Sequence, residues 1–382
     1  MAGLLNMLLP GCGAIVINSK LSSDKFSNPE IFKDERGIYM KKIYVWTLII
    51  LQGLLLGYSG GSNSYAAVVK EPAVLTIAWL PNNSMDNEKA MREEFAKIIS
   101  KATGKKVENK LTTDYNIAMS AMESGTAQIG FFGPYEYLIE HTKNPRIVPL
   151  VVESGDSGTL KDACYYSRFL VRKGEENQYK SGKGYDIDNI TGKKMSFVST
   201  SSTSGFNMPA VVILNKFGKQ NRWKNLSKQD LAQSGKFFRT VMFGGSHQLS
   251  LVNLLSGKTD IAAVDDIDVN QYVSLTSGQE NQPGAVYTVK KNAEAPFNTL
   301  AGAQFVVIKS VPILNTPLQA NGSYLRRKTL KAITKALTSA AVAQNELLFA
   351  PQGVKGTIFR QPHRFVKVTD SWYAPLRKVL GL

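Results

Sequence analysis

The sequence predicts an α/β protein of two lobes, each a mostly parallel sheet flanked by helices, with a ligand cleft between them. Three observations carry this. The chain has 382 residues, enough for two separate hydrophobic cores. Its 43% hydrophobic and 20% charged residues are ordinary for a soluble globular protein and exclude a disordered or collagen-like chain. Short β-rich apolar runs alternate with stretches of helical spacing, in two series separated by a polar segment.

The first series opens at residues 73–80 (AVLTIAWL), an apolar strand ending in a Pro-Asn-Asn-Ser loop. Met91, Phe95, Ile98, Ile99 and Ala102 then recur at helical spacing, and Gly104 closes the helix. Residues 107–111 read as a strand, 115–124 as a helix and 128–132 as a strand broken by Gly133-Pro134. After strands at 147–152 and 163–171, residues 172–194 are polar and charged. The second series has strands at 194–198, 239–243 and 260–264, with helices at 206–217 and 248–255 between them. Residues 222–236 are amphipathic and basic and predict an inserted surface helix. A strand at 303–308 and one long helix over 324–343 complete the reading.

The N-terminus carries an export signal. Met40-Lys41-Lys42 opens a basic region, residues 43–57 (IYVWTLIILQGLLLG) form an apolar stretch, and Ser64-Tyr65-Ala66 offers small residues for cleavage before Ala67. The apolar run is shorter than the roughly 20 residues of a membrane span. The expected organisation is therefore an upstream extension over 1–39 that does not belong to the natural protein, and a signal peptide over 40–66. Lobe 1 is expected from 67–175 and 295–382, and lobe 2 from 176–294. Cys12 lies in a chance lipobox-like match, and no cysteine stands at the end of the apolar run to take a lipid. The expected location is the periplasm.

The formal charge of +16, from 46 Lys and Arg against 30 Asp and Glu, points to an anionic partner. Residues 1–66 carry six basic and four acidic residues, so the exported 316 residues keep +14. They also keep one cysteine, Cys164, so no internal disulfide is expected. Three histidines and two cysteines over the whole chain argue against a His/Cys metal site.

Candidate chemistry gathers where strands end. Six hydroxyl residues, Ser199 to Ser204, precede Gly205 and a helix, and hydroxyls with free N–H groups at a helix start suit an anion. Pro209 falls in the first turn, where proline is tolerated. The Gly-Lys signature of a nucleotide loop is missing. Gly244-Gly245-Ser246-His247 repeats the arrangement after another strand. His247 there would donate to an anion, and a phosphoryl group would favour its charged form; its plainer reading is a hydrogen-bonded structural residue. Asp265-Asp266 ends a strand, as turn residues or as acceptors of a ligand O–H. Tyr115 opens a helix and Tyr135 follows Gly133-Pro134, each as a packing residue or a lid.

Three stretches in order, AMSAMESGTAQIGFFGPYEYL (118–138), SSTSGFNMP (201–209) and GGSHQLSLVNLLSGKTDIAAVD (244–265), resemble the phosphate/phosphite/phosphonate-binding proteins of ABC importers. The resemblance runs over residues 74–345 and implies a type II periplasmic binding fold. It implies that Ser202, Thr203 and Ser204 bind phosphoryl oxygens, with His247 as a further donor, and that Tyr115 and Tyr135 close over the ligand from the other lobe. Of the acidic pair, Asp266 in preference to Asp265 would meet a P–OH or a substituent. Asn298 and Gln248 stand where a carboxylate suited to a ligand amine might be expected, which favours a small inorganic ligand or one with an uncharged substituent.

The expected function is thus a solute receptor that takes a phosphorus oxyanion to the permease subunits of an ABC importer, as a monomer, with no cofactor, no metal, no nucleic-acid partner and no catalysis. Two other readings stand beside it. One is a ligand sensor for signalling. The other is an enzyme on the same fold using Cys164, which sits in no recognisable catalytic motif and more simply reads as a structural cysteine.

Overall fold

The structure is a computed structural model, and it describes residues 4–9, 13–18, 69–83 and 86–382. The expected signal peptide and Cys12 lie outside the described residues. Inside the expected upstream extension, Leu4–Leu9 pairs with Gly13–Asn18 as an antiparallel hairpin.

Two sheets organise the rest. The first has six strands in the order Phe365–Lys367, Ile147–Glu153, Pro317–Asn321, Ile129–Phe131, Val74–Trp79, Lys106–Leu111. The second has seven, Thr240–Phe243, Lys194–Phe197, Ile261–Asp265, Cys164–Arg172, Gln304–Leu314, Val286–Val289, Val273–Ser277. The early strands of each series pair in parallel, as the alternation predicts. Both sheets are nevertheless mixed, because the strands that carry the chain between lobes and back pair antiparallel to their neighbours. The two long connecting strands, Cys164–Arg172 and Gln304–Leu314, pair with each other in the second sheet. The crossing points therefore fall near residues 154–163 and 315–316, rather than at the expected 175 and 295.

Packing follows the sheets. One cluster built around Trp79, Phe95, Phe131 and Phe365 fills lobe 1. Two clusters, around Phe197 with Phe238 and around Leu251 with Tyr287, cover the two faces of the lobe 2 sheet. A fourth joins the lobes, with Tyr137 of lobe 1 packed among Met208, Ile313 and Tyr373.

Two expected helices come out shorter. Residues 324–343 divide into Arg327–Leu337 and Ala340–Ala343. At the break, Thr338 turns its hydroxyl back to the Thr334 carbonyl and Ser339 caps the next turn, so local side-chain bonds replace the helix ladder. Residues 222–236 contain only the turn Asn221–Trp223 and the five-residue helix Lys228–Ala232, restarted by a Ser227–Asp230 capping box.

Candidate functional site

The C-terminal ends of the parallel strands of both lobes face one cavity. Leu80 and Asn82 follow Val74–Trp79, and Gly133 and Glu136 follow Ile129–Phe131. From lobe 2, Ser202, Thr203 and Ser204 follow Lys194–Phe197, His247 follows Thr240–Phe243, and Asp265 ends its own strand. The cavity is small, about 40 Å³. Tyr115 and Tyr165 complete its polar wall.

The hydroxyl run begins its helix earlier than the spacing suggests. Thr203–Asn207 forms a π-helical turn that leads into Met208–Phe217, with Asn207 N–H donating to the Ser202 carbonyl at 2.9 Å. Ser202 Oγ accepts from Gly205 N–H at 3.1 Å and caps the turn. Gly205 is required here, since a Cβ would lie 2.4 Å from Val198. Ser167 Oγ donates to the Ser204 carbonyl at 2.7 Å and fixes the turn against the sheet.

His247 is buried, and its Nδ1 accepts the Asp265 backbone N–H at 2.9 Å. The neutral ring therefore carries its proton on Nε2, which lies 3.5 Å from Ser204 Oγ and 3.3 Å from Asp265 Oδ2. Burial, aided by the nearby Arg168 charge, pushes its pKa down to about 3. The ring is a neutral donor, where the sequence suggested a charged one. His247, Asp265 and Asp268 bring candidate ligand atoms within 4.8 Å of one another. With Nδ1 occupied and Nε2 protonated, however, the ring has no lone pair to give a cation.

Lobe 1 contributes carboxylate as well as hydroxyl. Thr203 Oγ1 donates to Glu136 Oε2 at 2.6 Å and accepts from Tyr135 N–H at 2.8 Å, so both bonds cross the cleft. Gly133 makes room for them, because a Cβ there would stand 2.5 Å from Glu136 Oε2 and 2.6 Å from Thr203 Oγ1. Burial pushes Glu136 up to about 7. Tyr115 donates to Asn82 Oδ1 at 2.7 Å, and Asn82 Nδ2 donates to Asp268 Oδ2 at 2.7 Å, a chain that again spans the two lobes. Asp265 and Asp268 are both raised by burial, and Asp268 N–H donates to Asp265 Oδ1 at 3.1 Å. Arg168 lies fully buried behind them, with Nη2 on the Asp265 carbonyl at 2.6 Å, and supplies positive potential without lining the cavity.

The structure thus brings Tyr115, Ser202, Thr203, Ser204, His247 and Asp265 together. It places two expected residues elsewhere. The Tyr135 ring sits under the Lys228 ammonium, 5.2 Å from it, and meets the site only through its backbone N–H. Asp266 faces a second, adjoining cavity of about 230 Å³, where its carboxylate accepts from Tyr166 N–H and Asn281 Nδ2, both at 2.8 Å. Cys164 lies on that second cavity too. Gln248 is buried and donates to the Asn82 and Asp268 carbonyls, whereas Asn298 is exposed and lines neither cavity. The charge of that position therefore carries no information about the ligand. Sequence reasoning missed Asn82, Glu136, Tyr165, Arg168 and Asp268. Glu136 and Tyr165 sat beside candidates already singled out, and the others gave no local signal.

Two α/β lobes joined by two crossings around a shared cavity make up the bilobal type II periplasmic binding fold. More particularly, the chain belongs to the family described as ABC transporter, phosphonate, periplasmic substrate-binding protein, whose model matches residues 77–373. It is 26% identical over 254 residues to the phosphate-import protein PhnD of Mycolicibacterium smegmatis, covering 66% of this chain and 72% of that one. Its fold is similar to PhnD1 from Prochlorococcus marinus in complex with methylphosphonate, at 17% identity and a TM-score of 0.57 over 81% of this chain and 97% of that one. It is also similar to the binding protein component of an ABC phosphonate transporter from Pseudomonas aeruginosa, at 16% identity and a TM-score of 0.56 over 81% and 86%. Among the described residues no helix is long and apolar enough to cross a membrane.

Proposed function

We propose that this chain captures a phosphorus oxyanion (phosphonate, phosphite or phosphate) in the periplasm and delivers it to its permease. One observation carries the reading. The cavity lies where the Thr203–Asn207 turn meets the neutral Nε2–H of His247 and hydroxyls from both lobes, and among the described residues no Lys or Arg lines it. A desolvated oxyanion held by neutral donors and a helix start needs no counter-cation in contact. Ser202, Ser204, Tyr165 and His247 supply the donors, Tyr115 lines the wall beside them, and Asp265 supplies an acceptor for a P–OH. The name of the Mycolicibacterium relative and the methylphosphonate complex of the Prochlorococcus protein support the same ligand class. The second cavity shares Tyr165, Ile267 and Asn315 with the first and gives a substituent room.

Binding with release, and no covalent step, fits these residues. Cys164 lies outside the oxyanion cavity, and both ring nitrogens of His363, which shares its cavity, are held by Glu153 and Asp156. The test is calorimetric titration of the chain from Ala67 with phosphate, phosphite, methylphosphonate and 2-aminoethylphosphonate. At least one is expected to bind at 1:1 stoichiometry; no binding by any of the four overturns the reading.

A further inference from the structure

We propose that Glu136 competes with the captured oxyanion for Thr203, so that each capture is coupled to uptake of one proton by Glu136. The inference rests on the oxyanion reading above and concerns what that site demands of its ligand.

A threonine hydroxyl has one proton to donate. Thr203 gives it to Glu136 Oε2 at 2.6 Å, while its oxygen accepts from Tyr135 N–H at 2.8 Å. As long as Glu136 is ionised, Thr203 has nothing left for a phosphoryl oxygen, although it stands between Ser202 and Ser204 on the cavity wall. The Thr203 backbone amide also favours the charge of the same carboxylate. Glu136 thus uses donors that a phosphoryl group would use, and places a negative charge on the wall of an anion cavity. The arrangement is built in rather than accidental: Gly133 lacks the Cβ that would strike both Glu136 Oε2 and Thr203 Oγ1.

Tyr135 precedes Glu136 on its own helix, and Glu140 follows one turn later, itself pushed up to about 9 by burial. Tyr115 and Glu153 line the same cavity from lobe 1, and Tyr165, the neutral His247, Asp265 and Asp268 line it from lobe 2. Lys228 lies over the Tyr135 ring and donates to Asn207 Oδ1 at 3.2 Å. Burial is the dominant influence on Glu136 and raises it to about 7, within reach of protonation near neutrality. Protonation removes the repulsion and releases the Thr203 hydroxyl to the ligand. The only bond formed is the O–H of Glu136, with its proton drawn from buffer when the ligand arrives fully ionised.

Two measurements test this with methylphosphonate as probe. The first titrates the wild-type protein at about pH 9, where the probe is a dianion, in two buffers of different ionisation enthalpy. Wild type is expected to take up about one proton per anion bound. The second compares Glu136→Gln, the neutral isostere, across about pH 6 to 9. Relative to the variant, which keeps the pH dependence of the probe and of the other cavity carboxyls, wild-type affinity is expected to fall roughly tenfold per pH unit above about pH 7. At about pH 9 the variant should bind at least tenfold more tightly. Zero proton uptake by wild type overturns the inference, as do parallel pH curves for the two proteins. If no phosphorus oxyanion binds wild type even at about pH 6, the receptor reading itself falls. If binding is sound but its proton count does not depend on Glu136, only the present inference falls.

Discussion

The two lobes bring unlike chemistry to one cavity. Lobe 2 offers donors fixed by backbone: the Thr203–Asn207 turn, the capped start of His247–Leu255, and an imidazole locked by the Asp265 amide. Lobe 1 offers side chains that reach across: Glu136 to Thr203, and Asn82 to Asp268. The difference teaches a division of labour. On the proposed reading, lobe 2 holds the oxyanion cradle, and lobe 1 reaches across it with contacts that a ligand would replace.

The largest expected effect comes from breaking the cradle's backbone. Gly205→Ala sets a Cβ 2.4 Å from Val198 Cβ and Cγ2 and 2.9 Å from Ser202 Oγ, inside a packed element. Overpacking of this kind costs about 1–3 kcal/mol, and methylphosphonate affinity should fall by about a hundredfold or more. Gly133→Ala in lobe 1 also meets close atoms, but these are the ends of the Glu136 and Thr203 side chains, which can move aside. Its loss should be several-fold smaller. Denaturation midpoints and calorimetry on both variants check this, and equal losses would break the distinction between cradle and closure.

Next comes His247. In His247→Leu the Asp265 N–H loses its partner and the cavity loses a neutral donor. An unsatisfied buried group costs about 1–3 kcal/mol, so affinity should fall ten- to hundredfold with a parallel loss of stability. Because His247 titrates at about 3, it stays neutral across the physiological range. The imidazole NMR shifts of His247, followed between about pH 5 and 8, should therefore show no inflection. An inflection near the ordinary histidine value of about 6.5 would mean that the imidazole is charged in the cleft after all.

A third contrast lies on one helix, one turn apart. Glu136 faces the cleft, whereas Glu140 faces the lobe 1 core, where it is buried and bonded to Gln319. Both carboxyls are raised above their ordinary value, to about 7 and about 9. The folded state therefore binds a proton that the unfolded chain has released, and stability falls as pH rises from about 4.5 through those folded values. Glu140→Gln should raise the melting temperature at about pH 8 more than at about pH 5, and leave oxyanion affinity unchanged. A pH-independent gain would show that Glu140 is not the titrating group.

What the sequence made legible follows the same division. The lobe 2 cradle is contiguous: a strand, six hydroxyls, a glycine and a helix stand in one stretch, and Gly244 to His247 repeats the pattern. Local chemistry was enough to find both. Lobe 1's share depends on which residues the crossings bring opposite Thr203, and no local pattern encodes that. Glu136 illustrates the difficulty, since a Glu in the first turn of a helix ordinarily reads as a solvated partner of the helix dipole. The sheets were legible in their parallel halves, where strand and helix alternate. The antiparallel strands were placed less well because a connecting strand such as Gln304–Leu314 looks locally like any other apolar run.

The smallest expected effect falls on Asp266. Its neighbour Asp265 lines the oxyanion cavity, while Asp266 points into the second cavity and accepts from Tyr166 N–H and Asn281 Nδ2. Asp265 is the last residue of its strand, whereas Asp266 already turns into the helix Ile267–Asn270 with φ −93° and ψ −30°, which carries its side chain away from the first cavity. Asp266→Asn keeps an acceptor of the same size, so methylphosphonate affinity should stay within about twofold of wild type. Asp265→Asn removes a carboxylate from the oxyanion wall, beside His247 Nε2 and the Asp268 amide, and should change both the affinity and its pH dependence. A ligand with a longer substituent would sharpen the comparison further. If 2-aminoethylphosphonate loses affinity in Asp266→Asn while methylphosphonate does not, the second cavity takes the substituent, and the two adjacent carboxylates read opposite ends of one ligand.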